Sequence, residues 1–552
     1  MTRAFAGLLA LALAQGPMPG NNGGFRDVTR DAGVTFVHHA DPEKKYIVES
    51  MSGGVALFDY DNDGRLDIYF VDSLTVETVG DPKQARSALY RNLGDFKFSD
   101  VTDKAGIGHP GWGMGVCTAD IDADGWEDVY VTALGGNKLY RNNHDGTFTD
   151  VTERAGVAGG GWSTGCGFAD YDRDGDLDLF VTRYVKVDLK QLPQFGRDKT
   201  CQYRGVPVQC GPRGLPGDSD FLFRNEGNLR FAEVSAAAGV GDASGFFGLG
   251  IAWFDYNEDG WPDLFVANDA GANFLYRNEK NGTFKEVGFP MGLAVSQDGA
   301  EQGSMGVAIA DYDNTGRFGT LVTNFSEEYN ALHRNEGPHF TDVSFKTKIA
   351  AVSLPFVGWG STFFDYDNDG LLDLLIVNGH VYPQLDKVKL GASAGYRQRK
   401  LLHRNRGDGT FDEVSSKFGA VMMEERVTRG LAIGDLDDDG RLDMVTNDLD
   451  GPPQVIRNEI AEAGNWLLVR LKGRAPNTGA IGAIVTARAG SLVQKRLVQS
   501  GSSYISQEDK RLHFGLGKAA QVDSVEVLWP DGTTTAVKNV KANQRIEITQ
   551  QQ

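Results

Sequence analysis

Val55-Ala56-Leu57-Phe58-Asp59-Tyr60-Asp61-Asn62-Asp63-Gly64-Arg65-Leu66-Asp67-Ile68-Tyr69-Phe70-Val71 sets an acidic loop between two short apolar runs. Carboxylates on alternate residues, with a glycine for the sharp turn, are the oxygen-rich arrangement that a hard cation such as Ca²⁺ takes. The loop returns six times, beginning at Asp120, Asp170, Asp255, Asp311, Asp365 and Asp435. A loop recurring every roughly 50 to 85 residues marks an array or a propeller. An EF-hand opens the same way but needs an acid at loop position 12 and a helix on each side. Position 12 here is Phe70, Val131, Ile376 or Thr446, and the fourth carboxylate falls at position 9. The flanks are too short for helices and rich in β-branched and aromatic residues. Each loop therefore joins two antiparallel strands.

The rest of the repeat follows in fixed order. An Arg-Asn strand end comes next, at Arg91-Asn92, Arg141-Asn142, Arg224-Asn225, Arg277-Asn278, Arg334-Asn335, Arg404-Asn405 and Arg457-Asn458. A turn and a Phe-x-acid-Val strand follow, from Phe98, Phe148, Phe231, Phe284, Phe340 and Phe411. Four strands per repeat, A to D, make a propeller blade. The seventh fourth strand is missing after Arg457 but is present at the N-terminus as Phe25-Arg26-Asp27-Val28-Thr29. The two ends would thus close one ring and remove its free edges. The expected fold is all-β: a seven-bladed β-propeller over 25–460 with calcium-binding A–B loops, and a small β domain over 465–549.

The repeats resemble the FG-GAP repeats of integrin α-subunit propellers and of many exported bacterial proteins. In the tail, Ile481-Gly482-Ala483, Leu512-His513-Phe514-Gly515-Leu516-Gly517 and Val527-Leu528-Trp529-Pro530-Asp531-Gly532 resemble the ASPIC/UnbV domain. That domain follows the same kind of propeller in the cartilage acidic protein family. The resemblance implies no transferable chemistry.

The expected metal ligands are Asp59, Asp61, Asp63 and Asp67; Asp120, Asp122, Asp124 and Asp128; Asp170, Asp172, Asp174 and Asp178. They continue with Asp255, Asn257, Asp259 and Asp263; Asp365, Asp367, Asp369 and Asp373; and Asp435, Asp437, Asp439 and Asp443. The fifth loop keeps Asp311 and Asp313, but Thr315 and Gly319 replace its later acids, so about six Ca²⁺ are expected. The recurring arginine is read as charge balance for the loop. The net charge of −20 would fall to about −8 with six ions bound, so acidity alone argues for no basic partner. No basic patch points to nucleic acid.

Residues 1–14 read as a signal peptide, with Arg3, an apolar run from Ala4 and a small-x-small end at Ala12-Leu13-Ala14. An exported protein, secreted or periplasmic, follows, with no membrane span in the sequence. Cys201 and Cys210 flank a short loop and are expected to form a disulfide. Cys117 and Cys166 stand three and four residues before their loops, on opposite faces by strand alternation, and read as separate buried thiols.

With the A–B turns on one face, the D–A and B–C connections lie on the other, and the long ones do: 34–50, 73–87, 185–219, 288–303 and 381–399. Rigid scaffolds carry recognition on such loops. Segment ends reaching this face include Glu49, Trp112, Trp162, Arg183, Tyr184, Asn268, Asp269, Asn324, Trp359, Asn378, His380, Tyr382 and Arg429. A protein or carbohydrate ligand there would make the chain a binding or adhesion module. The alternative is an extracytoplasmic enzyme, metal-dependent or polysaccharide-active, with His39, Glu49, His380 and Tyr382 as candidate catalytic groups. No serine-nucleophile, phosphate-loop or nucleotide-binding pattern stands out.

Overall fold

The computed structural model describes residues 23–191, 201–388 and 395–551. The signal-peptide expectation for 1–14 lies outside them. The first repeat folds as strands Val55–Phe58, Asp67–Phe70, Ala88–Asn92 and Phe98–Asp100, hydrogen-bonded in that order. Strand A is buried along its whole length, because a blade's inner strands are covered on both faces by its neighbours. On strand D only Phe98 is buried, while Ser99 and Asp100 face solvent. The acidic loop turns through two left-handed residues, Asn62 (φ 53°) and Gly64 (φ 90°), and the last loop repeats this at Asp438 (57°) and Gly440 (83°).

Among the described residues there are seven such four-stranded sheets. Their A strands touch in cyclic order, the seventh (Thr428–Gly434) returning to the first (Val55–Phe58). The N-terminal strand Phe25–Asp27 pairs antiparallel with Gln454–Asn458, with Phe25 opposite Asn458. The last blade is therefore completed from both ends of the propeller segment.

The recurring Asn of each Arg-Asn pair stitches neighbouring blades together. Asn142 Nδ2 donates to Tyr60 O of the preceding loop at 2.8 Å, Asn278 to Tyr171 O at 2.8 Å and Asn458 to Tyr366 O at 2.9 Å. Asn225, Asn335 and Asn405 do the same to Ile121 O, Tyr256 O and Tyr312 O. Asn92 closes the cycle on Leu436 O at 2.9 Å.

Cys201 and Cys210 are bridged, in agreement with expectation. Cys117 and Cys166 are bridged as well, with Cα atoms 5.9 Å apart, which corrects their reading as separate thiols. They lie on the A strands of adjacent blades, Trp112–Ala119 and Ser163–Ala169. Stacked blades meet through opposite faces, so the opposite parity that separates two residues within one sheet brings them together between two. Two disulfides fit an oxidising compartment, and no helix among the described residues is long and apolar enough to cross a membrane. The Cys117→Ala/Cys166→Ala variant is expected to lose about 2–4 kcal/mol. Denaturant melts of the two proteins check this, and equal midpoints would mean the bridge adds nothing.

The tail forms two sheets. One joins Asn465–Lys472 to Leu512–Gly517 and, in parallel, to Gln544–Thr549; the other holds Leu492–Leu497, Ile484–Ala489, Gln521–Leu528 and Thr534–Lys541. Leu467, Val485, Phe514, Val525 and Trp529 are buried in a core that continues into the second and third blades.

Between these sheets, residues 499–509 run into the middle of the propeller. Ser503 O accepts from Val307 N at 2.8 Å, Ile505 O from Val116 N at 3.1 Å and Gln507 O from Leu57 N at 3.0 Å. Tyr504, fully buried, reaches the far end, where its hydroxyl donates to Met51 O at 2.8 Å. Glycines on the A strands make room: a Cβ on Gly54 would lie 2.4 Å from Ile505 O, and one on Gly167 2.5 Å from Ser500 O. The channel of the ring is filled by the chain's own tail.

Candidate metal centres and the opposite face

Each intact loop is held by its outermost carboxylates. The first acid takes two backbone donors, Asp63 N and Gly64 N on Asp59 at 3.0 and 2.9 Å. The acid at position 9 takes two more, Tyr60 N and Asn92 N on Asp67 at 3.1 and 2.7 Å. The latter bond comes from the Asn of the Arg-Asn pair, so the same residue positions a carboxylate and staples a blade. In five loops three carboxylate oxygens converge within 4.8 Å: Asp59, Asp61 and Asp67; Asp120, Asp122 and Asp128; Asp170, Asp172 and Asp178; Asp365, Asp367 and Asp373; Asp435, Asp437 and Asp443.

These clusters keep buried oxygens with no hydrogen-bond partner: Asp61, Asp122, Asp170, Asp367 and Asp437 each have an orphaned Oδ1. An unsatisfied buried oxygen in a knot of like charges is costly unless a cation is bound there. Burial pushes the inner acids up, Asp59 to about 6, Asp170 and Asp435 to about 7 and Asp263 to about 8. The residues present therefore fit a divalent, oxygen-seeking ion.

The arginine behaves as expected in most blades. Arg91 pairs with Asp61 at 2.6 Å, Arg141 with Asp122 at 2.5 Å, Arg404 with Asp367 at 2.9 Å and Arg457 with Asp437 at 2.7 Å. In the third and fourth blades Arg224 and Arg277 pair instead with Glu226 and Glu279, each at 2.6 Å.

The fourth and fifth loops differ. Asn257 Nδ2 donates to Asp259 Oδ2 at 3.0 Å, so one carboxylate of the cluster is replaced by an amide. In the fifth, Asp313 is satisfied by Thr315 Oγ1 at 2.8 Å and Arg334 at 2.9 Å. A Cβ on Gly319 would lie 2.6 Å from the Tyr312 ring, so an aromatic ring occupies the place of the missing acid.

The C-terminal domain lies on the loop face, an arrangement no sequence motif signals. Thr478 bonds Asp120, and Arg545 Nη1 donates to Gly64 O and to Asp438, each at 3.0 Å. Gly464 N donates to Asp367 O at 2.8 Å and Gly517 N to Asn368 O at 2.7 Å.

On the opposite face the four candidate catalytic groups are engaged in holding loops. His39 Nδ1 lies 2.9 Å from Asp72, whose hydrogen bond raises the imidazole above its ordinary range. Glu49 accepts from Asp41 N at 2.8 Å and Val76 N at 2.6 Å, and burial pushes it up to about 7. His380 is buried and pushed down to about 3; its Nδ1 accepts from Val381 N at 2.9 Å and its Nε2 lies 3.2 Å from Ser326 Oγ. Tyr382 packs 5.0 Å from the His380 ring, with Tyr203 beside both. The structure thus joins His380 to Tyr382 in an aromatic cluster.

Comparison with known proteins agrees with this construction. A family model described as FG-GAP-like repeat matches residues 59–131, 120–181 and 255–318, and one described as ASPIC and UnbV matches 473–552. The chain combines FG-GAP-like repeats with an ASPIC and UnbV domain. Cartilage acidic protein 1 of Mus musculus is 28% identical over 344 residues, covering 59% of this chain and 48% of its own length. The Homo sapiens protein of the same name is 28% identical over 340 residues, with 59% and 47% covered. The chain spans about half the length of the curated relatives it matches. Among solved structures, an Agrocybe aegerita protein described as recognising non-reducing terminal N-acetylglucosamine aligns with TM-score 0.37 at 16% identity, over 74% of this chain and 90% of that one.

Proposed function

We propose that this protein is an exported interaction module whose FG-GAP loops bind Ca²⁺ as structural ions, leaving the opposite face for recognition. The observation that carries the metal reading is the orphaned oxygen repeated in five converging carboxylate clusters. Loops one, two, three, six and seven would hold an ion with their four aspartates, and loop four with Asp255, Asn257, Asp259 and Asp263. Loop five, satisfied internally by Thr315 and Arg334, would not. A bound ion supplies positive charge where the acids repel one another and ties the A–B hairpin to the Arg-Asn strand. With those loops beneath the C-terminal domain, the free loops for a partner are those of the other face. Export is supported by the N-terminal sequence and by the two disulfides.

The deciding experiment is elemental analysis of the purified protein after dialysis in millimolar calcium. About six calcium ions per chain are expected for an affinity of extracellular type. No bound calcium would overturn the metal reading, and a stoichiometric transition metal would turn attention to an enzyme.

A further inference from the structure

The face opposite the loops holds a cavity of about 330 Å³ above the tip of the C-terminal arm. Its floor is Met51, Met305 and Trp359, and the Trp359 ring packs at 4.7 Å on Tyr504. The filled channel thus ends as a closed cup. One wall is residues 209–213, pinned by the Cys201–Cys210 bridge.

The carboxylates of Asp269 and Glu328 line this cup beside the hydroxyls of Ser50, Tyr184 and Tyr382. Asp269 Oδ2 accepts from Tyr184 OH at 2.5 Å, and Glu328 Oε2 from Gly303 N at 2.6 Å. Both carboxylates face the small gap kept by Gly303, where a Cβ would lie 3.1 Å from Asp269 Oδ1 and 3.6 Å from Glu328 Oε2. Gln209, only 6% exposed, lines the same cavity; its Nε2 donates to Val381 O at 2.9 Å, and its Oε1 has no partner. Among the described lining residues Arg213 is the one cation. It is engaged at the rim, 3.7 Å from Glu301 and 3.2 Å from Ala270 O. Burial pushes Asp269 up to about 6 and Glu328 to about 7, and the charge of Arg213 works against the rise in both.

From the paired carboxylates and the apolar floor, with the partnerless Gln209 oxygen buried in the wall beside them, we infer that the cup binds an organic monocation of side-chain size, an alkylguanidinium or alkylammonium group. Acceptors satisfy the donor-only head, while Met51, Met305 and Phe325 cover the stem. This deepens the recognition role proposed for that face and rests on it.

Butylguanidinium and butylammonium are the probes, with neutral butylurea as control, titrated into calcium-loaded full-length protein and followed by ligand-observed NMR. Calcium content is measured on the same sample, so failure of the cup is distinguishable from failure of the metal reading. Saturable binding of the cations is expected, with affinity at least about tenfold weaker in Asp269→Asn/Glu328→Gln. Gly303→Ala, which fills the gap between the carboxylates, should weaken binding too and serves as the second variant if the first does not fold. A blocked arginine peptide that binds more tightly than butylguanidinium would assign the cation to a protein partner, and equal affinities to a free small molecule. Absence of saturable binding, equal binding of butylurea, or unchanged affinity in folded variants would overturn the inference.

Discussion

Chelation of calcium is expected to destabilise the native protein by about 8 kcal/mol. The figure takes about 1 mM calcium and a dissociation constant of about 10⁻⁴ M, which give about 1.4 kcal/mol at each of about six loops. The physical source is local. Each loop keeps buried carboxylates in contact, and Asp61, Asp122, Asp170, Asp367 and Asp437 each have an oxygen that no protein donor reaches. Thermal melts with and without chelator read the effect. A second readout is hydrogen exchange at Gly464 and Gly517, whose amides are held by the carbonyls of Asp367 and Asn368 in the sixth loop. Faster exchange there after chelation would show that the loops support the docked C-terminal domain. An unchanged melt would sink the structural role of the ion.

Replacing Tyr504 by alanine is expected to cost about 3–5 kcal/mol, the range for emptying a buried aromatic site. The ring sits at the end of the C-terminal arm among Met51, Met114, Trp162 and Trp359, contributed by several blades, so no single neighbour can close the hole. Tyr504→Phe keeps the packing and loses only the bond to Met51 O; its cost should be about 1 kcal/mol. Denaturant titrations of the two variants separate these contributions. Equal stability of the alanine variant and the parent would mean that the arm is not part of the folded propeller.

Much of the carboxylate clustering is readable from residue order because it is local. Position 1 and position 9 carboxylates bind backbone within the same hairpin, and alternation brings position 3 beside them. The arginine's role followed from its recurrence near the loops. The Asn beside it was seen as a pattern without a function, since its partners lie a blade away: Asn142 on Tyr60, Asn92 on Leu436. The Cys117–Cys166 bridge was misread for the same reason, because strand alternation describes faces within one sheet and says nothing about how two sheets stack.

The sequence by itself determined the blade and its loop, since each rests on short-range hydrogen bonding that residue type and spacing control, and the ring's closure by Phe25–Asp27, since the repeat lacks one fourth strand after Arg457 and carries it at the N-terminus. Tertiary structure alone decided what fills the ring and which face remains open. The arm at 499–509 has no periodic signature, being short and rich in serine and glycine, and its bonds to Val307, Val116 and Leu57 span hundreds of residues. Those contacts exist only once the blades have met, so spacing along the chain carries no trace of them. By seating the C-terminal domain on the loops, they leave the cup floored by Met51, Met305 and Trp359 open on the other face.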